Sequence, residues 1–312
     1  MSKVVVIGGG TGCPVILEGL KPREVSLTAV VTMMDSGGSS GRIREELDIP
    51  ALGDFRRCLQ TMAGPNRWAE LLAKLSDYRF ESSGELAGHS LGNLILSGLI
   101  KLDGSIKSGL DSALELFGVS GTVLPVTTEN STVCAILSDG SKLISEGVID
   151  RRGISDIRIK KVYLDPQVHA DPRVIETIQN CDAVVFAPGD LFTSLVPILL
   201  VDGVSQAIAS SSARLIVVAN LHTKNSETGG YRLSDFLSTL VQYLDEKTIF
   251  DSVIANNEPI NMFGDNQIVE LDLDASNKWT REINLRPVAS LENLGSHDPE
   301  RTANAILEVL DS

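Results

Sequence analysis

Residues 3–20 read KVVVIGGGTGCPVILEGL, and residues 27–32 read LTAVVT. The run at 3–7 is short and almost continuously apolar, which is typical of a buried parallel strand. Four glycines follow within residues 8–12, and Pro14 stands in a first helical turn, where no N–H is needed. A strand, a glycine-rich turn, a helix and a second strand at this spacing form a βαβ unit. This stretch therefore predicts an α/β fold.

The later sequence repeats the alternation of strand and helix. Short apolar runs at 183–187, 215–219 and 252–255 are each followed by polar or glycine-rich residues. Helices are predicted at 54–63, 67–76, 89–102, 104–117, 173–180, 191–210, 234–244 and 299–310. Alternating units of this kind imply a Rossmann-like, doubly wound and mostly parallel sheet.

The middle of the chain departs from this alternation. Apolar runs at 132–137 and 142–145 flank Asp139-Gly140, a dipeptide that suits a type I′ hairpin turn. Residues 157–164 alternate in polarity and predict a further strand. The predicted parts are a small antiparallel β insertion at 122–164 and a Rossmann-like nucleotide-binding core at 1–121 and 165–312.

The chain is acidic. Its 312 residues include 41 Asp and Glu against 27 Lys and Arg, which gives a formal charge of −14 at pH 7. A field of that sign repels nucleic acid and anionic membranes. We therefore expect a small-molecule ligand and no nucleic-acid partner. A phosphate would have to be held locally, by backbone N–H groups and a few basic side chains.

Nothing in the sequence predicts export or membrane insertion. The apolar run at 4–7 stops at Gly8, which is too short for a signal peptide. No run of about 18 apolar residues occurs, so no transmembrane helix is expected. The four cysteines are scattered without a CxxC pair, which predicts buried, reduced thiols. These observations predict a cytoplasmic protein.

The loops after the strands are the candidate site, because ligands of doubly wound folds bind beyond the carboxyl ends of the strands. Glycines there let the backbone approach a phosphate and donate N–H groups to it. The alternative is a tight turn with no ligand. The first such loop consists of Gly8, Gly9, Gly10, Thr11 and Gly12.

Asp35 follows the second predicted strand and begins a segment, residues 35–53, that is predicted to be loop-rich. In dinucleotide-binding folds an acidic residue at this position accepts a hydrogen bond from a ribose hydroxyl. The small residues after it, including Ser39, would form a mobile loop over an anion. Asp35 could equally be an ordinary turn residue.

Asp54 is at the start of the helix predicted at 54–63 and is followed by basic residues. As an N-cap it would need no further role. As a functional carboxylate it would be a metal ligand or a general base. In that case Arg42 and Arg56 would stabilise charge that develops on a reacting phosphate.

Two further helix starts carry polar side chains. His89 and Asn93 are four residues apart and share a helix face, which suits an anion or the edge of a base; a cluster of helix caps is the alternative. Gly189, Thr193 and Ser194 follow a later strand, and Asn220 follows the next. Thr193 and Ser194 could cap a helix and bind phosphate, and Asn220 could bind a base or hold a loop.

Seven long motifs follow one another over about residues 3–240. They are GGGTGCPVILEGLK, VVTMMDSGGSSGRIR, GDFRRCL, GHSLGNLIL, GTVLPVTTENSTVCAILSDG, APGDLFTSLVPILL and NLHTKNSETGGYRLSDF. Together they resemble the bacterial gluconeogenesis factor family. That family is a branch of the superfamily that also contains 2-phospho-L-lactate transferase of deazaflavin cofactor synthesis.

The resemblance implies a Rossmann-like fold with an inserted subdomain. It implies a UDP-sugar or NAD-like nucleotide as ligand in the gluconeogenesis branch, and guanosine-linked phospholactate in the transferase branch. It further implies that Asp35 and Asp54 occupy the places of metal and substrate groups, with Mg²⁺ as the metal.

Several positions depart from the family pattern. Ser36 replaces a frequent second acid, Arg57 replaces an asparagine, and His222 stands where a methionine is common. The usual PGSLYTS is PGDLFTS here, so Asp190 replaces a serine.

Two functions follow. The first, implied by the resemblance, is a cytoplasmic nucleotide- or nucleotide-sugar-binding regulator needed for cell-wall growth and cell shape on gluconeogenic carbon. The second is a phosphoryl-group transferase with Mg²⁺, whose catalytic residues would be Asp54, Arg42, Arg56 and His89. A third class is an oligomeric scaffold with capped loops and no ligand. The sequence leaves open whether catalysis occurs and whether a homo-oligomer forms.

Overall fold

The computed structural model describes residues 1–81, 83–293 and 295–312. Its strands are β1 (Ser2–Gly8), β2 (Val25–Val31), β3 (Thr122–Pro125), β4 (Thr132–Leu137), β5 (Lys142–Ile144), β6 (Ile159–Asp165), β7 (Ala183–Phe186), β8 (Arg214–Val218), β9 (Ser252–Asn256) and β10 (Ile283–Arg286). Its helices are α1 (Gly12–Leu20), α2 (Gly38–Leu47), α3 (Gly53–Thr61), α4 (Arg67–Asp77), α5 (Leu91–Asp103), α6 (Ile106–Leu116), α7 (Glu146–Asp150), α8 (Pro172–Gln179), α9 (Val196–Leu199), α10 (Val204–Ser210), α11 (Leu233–Tyr243), α12 (Leu273–Ser276) and α13 (Pro299–Asp311). A π-helical turn, Leu191–Leu195, precedes α9.

Seven strands form one sheet in the order β10-β9-β8-β7-β1-β2-β3, and every neighbouring pair is parallel. A second sheet has the order β5-β4-β6 and is antiparallel. The predicted fold class, a doubly wound parallel sheet with a small antiparallel insertion, is confirmed.

β1 is an inner strand of the sheet, between β7 and β2, because it can be buried on both faces. Residues 4–7 are no more than 1% exposed, as their continuous apolar run requires. In the parallel register Gly8 lies opposite Val31, and the N–H of Thr32 donates to the Gly8 carbonyl at 3.3 Å. The loops after β1 and β2 therefore leave the sheet side by side.

The strand order reverses at β1. From β1 the chain moves to β2 and β3 on one side, and it returns at β7 on the other. The crevice at such a reversal, beyond the carboxyl ends of the strands, is where doubly wound folds bind ligands. The topology therefore predicts a ligand site at the loops after β1, β7 and β8.

Two local predictions are wrong. The segment 35–53 contains the ten-residue helix α2, because the glycines and serines that suggested a loop are followed by the helix-forming RIREEL. The helix predicted at 191–210 is divided into the π-helical turn, α9 and α10. The break before α10 occurs at Gly203, whose φ of +98° is incompatible with a right-handed helix.

β3 belongs to the large parallel sheet and not to the antiparallel insertion in which it was predicted. β3 falls within residues 122–164, the range predicted for the insertion, yet it pairs with β2 in parallel. The antiparallel sheet itself contains β4, β5 and β6 only. The four-residue strand β3 is too short to carry a pattern that distinguishes the two sheets.

The cysteines are buried and free, as predicted. Across residues 1–81, 83–293 and 295–312, no helix has the length and apolar character needed to cross a membrane.

Candidate functional site

The glycine-rich loop lies between two other loops, and its glycines are required there. A Cβ on Gly12 would lie 1.8 Å from the Pro188 carbonyl oxygen, and a Cβ on Gly9 would lie 2.5 Å from Asp54 Oδ2. Gly10 has a φ of +59° and faces open space. The glycine-rich loop therefore has two sides. The loops after β7 and β8 lie on one side, and Asp54 lies on the other, which we call the acidic side.

A crevice of about 280 Å³ opens on the β7–β8 side. Four residues predicted from the sequence lie in its wall: Thr11, Gly12, Gly189 and Asn220. Further lining residues include Asp190, His222, Lys224, Phe263, Asn266 and His297. A smaller cavity of about 150 Å³ shares His222, Gly295 and Ser296 with it. The crevice is therefore built at the predicted end of the sheet.

Asn220 fixes the shape of the crevice. The Gly189 N–H donates to Asn220 Oδ1 at 3.2 Å, and Asn220 Nδ2 donates to the Gly189 carbonyl at 2.8 Å. Both polar groups of the amide are thus used by the neighbouring loop. Asn220 was predicted either to bind a base or to hold a loop, and these hydrogen bonds show that it holds the loop after β7.

The outer wall of the crevice is aromatic. Phe263 is 52% exposed, and its ring lies so close to Gly295 that a Cβ there would be 2.5 Å from Phe263 Cγ. His222 lies beside it, with ring centroids 6.2 Å apart. Below them, burial lowers the pKa of His297 to about 4, and its Nε2 lies 3.0 Å from the Ala219 carbonyl. A neutral ring that donates through Nε2 satisfies this contact.

Lys224 lies at the crevice wall within a group of carboxylates. Its ammonium contacts Asp190 Oδ2 at 2.7 Å and Glu227 Oε1 at 3.3 Å, and it also pairs with Asp150. Asp190 is therefore paired with a cation. These three acids could together hold a metal ion, since their oxygens lie within 4.8 Å of one another. A metal there would have to displace the Lys224 ammonium.

Thr193 and Ser194 belong to the wall beneath the crevice rather than to its lining. Both are buried, and Thr193 Oγ1 donates to Glu227 Oε1 at 2.6 Å. The Phe192 N–H donates to the other carboxylate oxygen at 2.9 Å. Burial raises the pKa of Glu227 to about 7, and the nearby charge of Asp190 raises it as well. Thr193 thus holds Glu227, which in turn holds Lys224.

Two predicted carboxylates, Asp35 and Asp54, lie on the acidic side. Asp54 belongs to the first turn of α3 rather than to its N-cap, and its Oδ1 accepts from Arg57. Asp35 Oδ1 accepts from the Gly37 N–H at 2.7 Å. Burial raises the pKa of Asp35, and the charge of Asp54 raises it further.

Asp35 and Asp54 fit a magnesium site. The bonds to Gly37 and Arg57 use the Oδ1 atoms, and the Ser40 hydroxyl also contacts the Asp35 carboxylate. Asp54 is buried and Asp35 is half-buried, and a divalent cation would relieve the repulsion between two such carboxylates. Mg²⁺ commonly takes one or two carboxylates and completes its shell with water and phosphate oxygens.

The insertion supplies a third acid to this side. Glu146, at the start of α7, accepts from the Ser36 N–H at 3.2 Å, and Ser36 Oγ accepts from the Gly147 N–H at 2.8 Å. Burial and the charge of Asp35 raise the pKa of Glu146 to about 7. Ser36 thus connects α7 to the loop after β2.

Ser39, His89 and Asn93 form a buried hydrogen-bonded group behind the acids. Ser39 Oγ lies 3.1 Å from His89 Nδ1, and it accepts from Asn93 Nδ2 at 3.2 Å. Ser90 caps α5 by accepting from the Asn93 N–H. These contacts hold α2 against α5, and none of the three side chains lines the crevice.

The predicted arginines do not gather around the acids. Arg42 Nη2 donates to the Ala87 carbonyl at 2.6 Å, and Arg56 is buried against Asp77 and the Ser76 carbonyl. Arg57 contacts Asp54 instead. Arg57 was noted in the sequence only as a departure from the family pattern. Four other residues were not singled out: Lys224, Glu227, Glu146 and Phe263. A signal existed for Lys224 and Glu227, which lie in the quoted NLHTKNSETGGY motif.

A family model described as 2-phospho-L-lactate transferase CofD matches residues 4–288. The chain is 40% identical over 259 residues to the gluconeogenesis factor of Halalkalibacterium halodurans, covering 83% of this chain and 78% of that protein. It is 36% identical over 259 residues to the gluconeogenesis factor of Bacillus subtilis, covering 83% of this chain and 80% of that protein.

Two crystal structures of the protein BH3568 from Bacillus halodurans have the same fold. One matches with a TM-score of 0.90 and 35% identity over 98% of this chain and 99% of that chain. The other, described as a member of the UPF0052 family, matches with a TM-score of 0.91 and 34% identity over 98% of this chain and 100% of that chain. Sequence and fold similarity therefore extend over nearly the whole chain.

Proposed function

The chain belongs to the 2-phospho-L-lactate transferase CofD family, and from that premise we propose that it is a nucleotide-binding factor like the gluconeogenesis factors it resembles. The proposed ligand is a UDP-sugar or an NAD-like nucleotide. The proposed role is regulatory: support of cell-wall growth and cell shape on gluconeogenic carbon. The crevice beside the glycine-rich loop, at the reversal of the strand order, is the observation that carries this proposal.

The crevice offers a phosphate end and an aromatic end. α1 begins at Gly12, and within the described chain no side chain caps its N-terminus. Its first N–H groups and those of the glycine-rich loop suit a diphosphate. Phe263 and His222 line the outer wall, where a base or sugar ring would stack. Directional N–H donors explain how an acidic chain would hold an anionic ligand.

Nucleotide binding is tested by unfolding the purified protein in the presence of UDP-glucose, NAD or GDP. A ligand at 100 times its Kd should raise the free energy of unfolding by about 2.7 kcal/mol. If none of the three raises it, the proposal is wrong.

Phe263→Ala should weaken binding of the stabilising nucleotide by about tenfold or more, because aromatic stacking on a base contributes about 1–3 kcal/mol. Phe263 is half-exposed, so the variant should remain folded. Met262→Ala is the matched control, since Met262 is 59% exposed and does not line the crevice. Equal affinities of the two variants, measured by isothermal titration calorimetry, would contradict the placement of the base.

A second function, Mg²⁺-dependent transfer of a phosphorus-containing group, is favoured by the acidic side. Asp35 and Asp54 lie across the glycine-rich loop from the crevice, beside Arg57. In this alternative Asp35 and Asp54 would hold Mg²⁺, which would supply positive charge to a phosphate, and Arg57 would stabilise the negative charge that develops. The acceptor hydroxyl would attack the nucleotide-linked phosphate and lose its proton, and a nucleoside monophosphate would leave.

Asp54→Asn distinguishes the two functions. If the protein is a transferase, the Mg²⁺-dependent turnover should fall by at least about a hundredfold, because a metal ligand and the partner of Arg57 are lost together. The assay follows release of nucleoside monophosphate from a nucleotide-linked donor with and without Mg²⁺. An unchanged rate in the variant would exclude this mechanism, whereas intact nucleotide binding without turnover would favour the regulator.

A further inference from the structure

A second binding region lies outside the crevice. An open groove of about 630 Å³ runs between α1, α3 and α4. Thr11 lines both the groove and the crevice, so the two openings lie on either side of the N-terminal end of α1. The groove extends along α1 as far as Lys21, whereas the crevice continues toward β8. An occupant of the groove would therefore leave the crevice accessible.

Three cations line the groove: Lys21, Arg57 and Lys74. Lys21 Nζ donates to the Thr61 carbonyl at 3.0 Å and to the Ala63 carbonyl, which holds it at the end of α3. Lys74 is exposed on α4, and in the described part of the chain no carboxylate is within ion-pair distance of its ammonium. Each cation thus comes from a different helix or helix end, and they face a shared space.

Two carboxylates, Glu18 and Asp77, oppose these cations. Asp77 Oδ1 accepts from Arg56 Nη1 at 2.6 Å, so its charge is largely balanced. Glu18 is exposed on α1 and has no such partner among the described residues. With Asp77 paired to Arg56 and Arg57 paired to Asp54, Lys21 and Lys74 remain against Glu18. The groove therefore has a small excess of positive charge in a chain whose formal charge is −14.

Arg57 has an unused donor at this place. Its Nη2 donates to Asp54, but its Nε is buried without a hydrogen-bond partner in the part of the chain that the structure describes. A buried N–H without a partner is costly, and a ligand in the groove would reach this one only after the Arg57 side chain shifts. Arg57 therefore gives the groove both a cation and a direct connection to Asp54.

We propose that this groove binds a small anion carrying two or more negative charges, held by Lys21, Arg57 and Lys74. Phosphate and carboxylate groups share the chemistry that these cations recognise. Arg57 also binds Asp54, so an anion in the groove would compete with the Asp54 carboxylate for the Arg57 guanidinium. The groove is thus a separate ligand site next to the candidate catalytic carboxylates, and it does not depend on the nucleotide proposal.

The groove is tested by calorimetric titration with inorganic pyrophosphate and with citrate. Lys74→Gln should weaken binding of the better probe by about tenfold, because one charge-assisted contact is lost. Glu18→Gln should strengthen it about threefold, because the unbalanced carboxylate is removed. Arg67→Gln removes an exposed cation from the same helix outside the groove and should leave the affinity unchanged. Equal affinities of Lys74→Gln and Arg67→Gln would overturn the proposal.

Lysine acetylation of the wild-type protein locates the probe. With pyrophosphate bound in the groove, Lys74 should react at least about threefold more slowly, whereas exposed Lys107 on α6 should react at an unchanged rate. Mass spectrometry gives both rates in one sample. Protection of Lys224 without protection of Lys74 would place the anion in the crevice and overturn the groove site.

Discussion

Gly12→Ala is expected to abolish nucleotide binding and to lower the free energy of unfolding by about 3 kcal/mol or more. A Cβ at this position would lie 1.8 Å from the carbonyl oxygen of Pro188 and 2.7 Å from its carbonyl carbon. Backbone atoms cannot rotate away as a side chain can, so the loops after β1 and β7 must separate. Overpacking typically costs about 1–3 kcal/mol, and a backbone collision lies at or above that range.

Gly10→Ala is the matched control for this prediction. Gly10 has a φ of +59°, yet a Cβ there would meet nothing within 4 Å. The variant should therefore lose only about 1–2 kcal/mol through left-handed backbone strain. Urea unfolding measures both free energies, and calorimetry measures nucleotide affinity. A Gly12→Ala protein that is as stable as Gly10→Ala would contradict the packing of the two loops.

Lys224→Met is expected to destabilise the protein by about 3 kcal/mol at pH 8. The change leaves Glu227, whose side chain is 0% exposed, without its cation and close to Asp150 and Asp190. Removal of one partner of a buried ion pair costs about 3–5 kcal/mol. Because the Lys224 side chain is 29% exposed, we expect the lower end of that range.

The destabilisation by Lys224→Met should decrease as the pH falls. Glu227 has a pKa of about 7 in the folded protein against 4.5 ordinarily, so between these values the folded chain binds more protons than the unfolded chain. The contribution of Glu227 to stability therefore falls as the pH rises through this window. At pH 5.5 the carboxyl is mostly neutral and needs its cation less. At pH 8 it is charged and needs the cation most.

The double variant Lys224→Met, Glu227→Gln provides the critical comparison. A neutral amide at 227 removes the uncompensated buried charge, so loss of Lys224 should cost less in the Gln background than in the wild-type background. Lys160→Met, a change at an exposed lysine of β6, should alter stability by less than about 0.5 kcal/mol at either pH. An effect of Lys224→Met that does not change between pH 5.5 and 8 would contradict the role of Glu227.

The sheet could be predicted because its signal is local. Short apolar runs such as residues 4–7 can be satisfied only by burial on both faces, and this is how β1 is buried. The start of helix α2 could not be predicted, because its glycines and serines are held in part by a contact with α5, and only the later RIREEL favours a helix locally. A Cβ on Gly41 would lie 2.2 Å from the Ser36 carbonyl oxygen, and Ser39 is bonded to Asn93 of α5. In isolation the same glycines and serines favour a loop.

The candidate site was predicted only where its residues lie in a local sequence motif. The glycine-rich loop and Asp54 belong to motifs with strong local patterns, although their contact with each other follows from packing. Glu146 contacts Ser36 although the two residues are 110 positions apart in the chain, and no local sequence pattern predicts that contact. Arg57, rather than Arg56, contacts Asp54, because residues three apart lie on the same face of a helix and residues two apart do not. The helix predicted at 54–63 therefore already contained the signal for this pair.

By itself, the sequence determined the doubly wound sheet, the position of its glycine-rich turn and the family to which the chain belongs. These depend on periodicity and on short motifs, which are properties of consecutive residues. The tertiary structure alone decided which side chains share a space: Lys224 with Asp150, Asp190 and Glu227, and Lys21 with Arg57 and Lys74. Charges act through distance, and the distance between residues far apart in the chain is fixed only when the sheet and its helices pack.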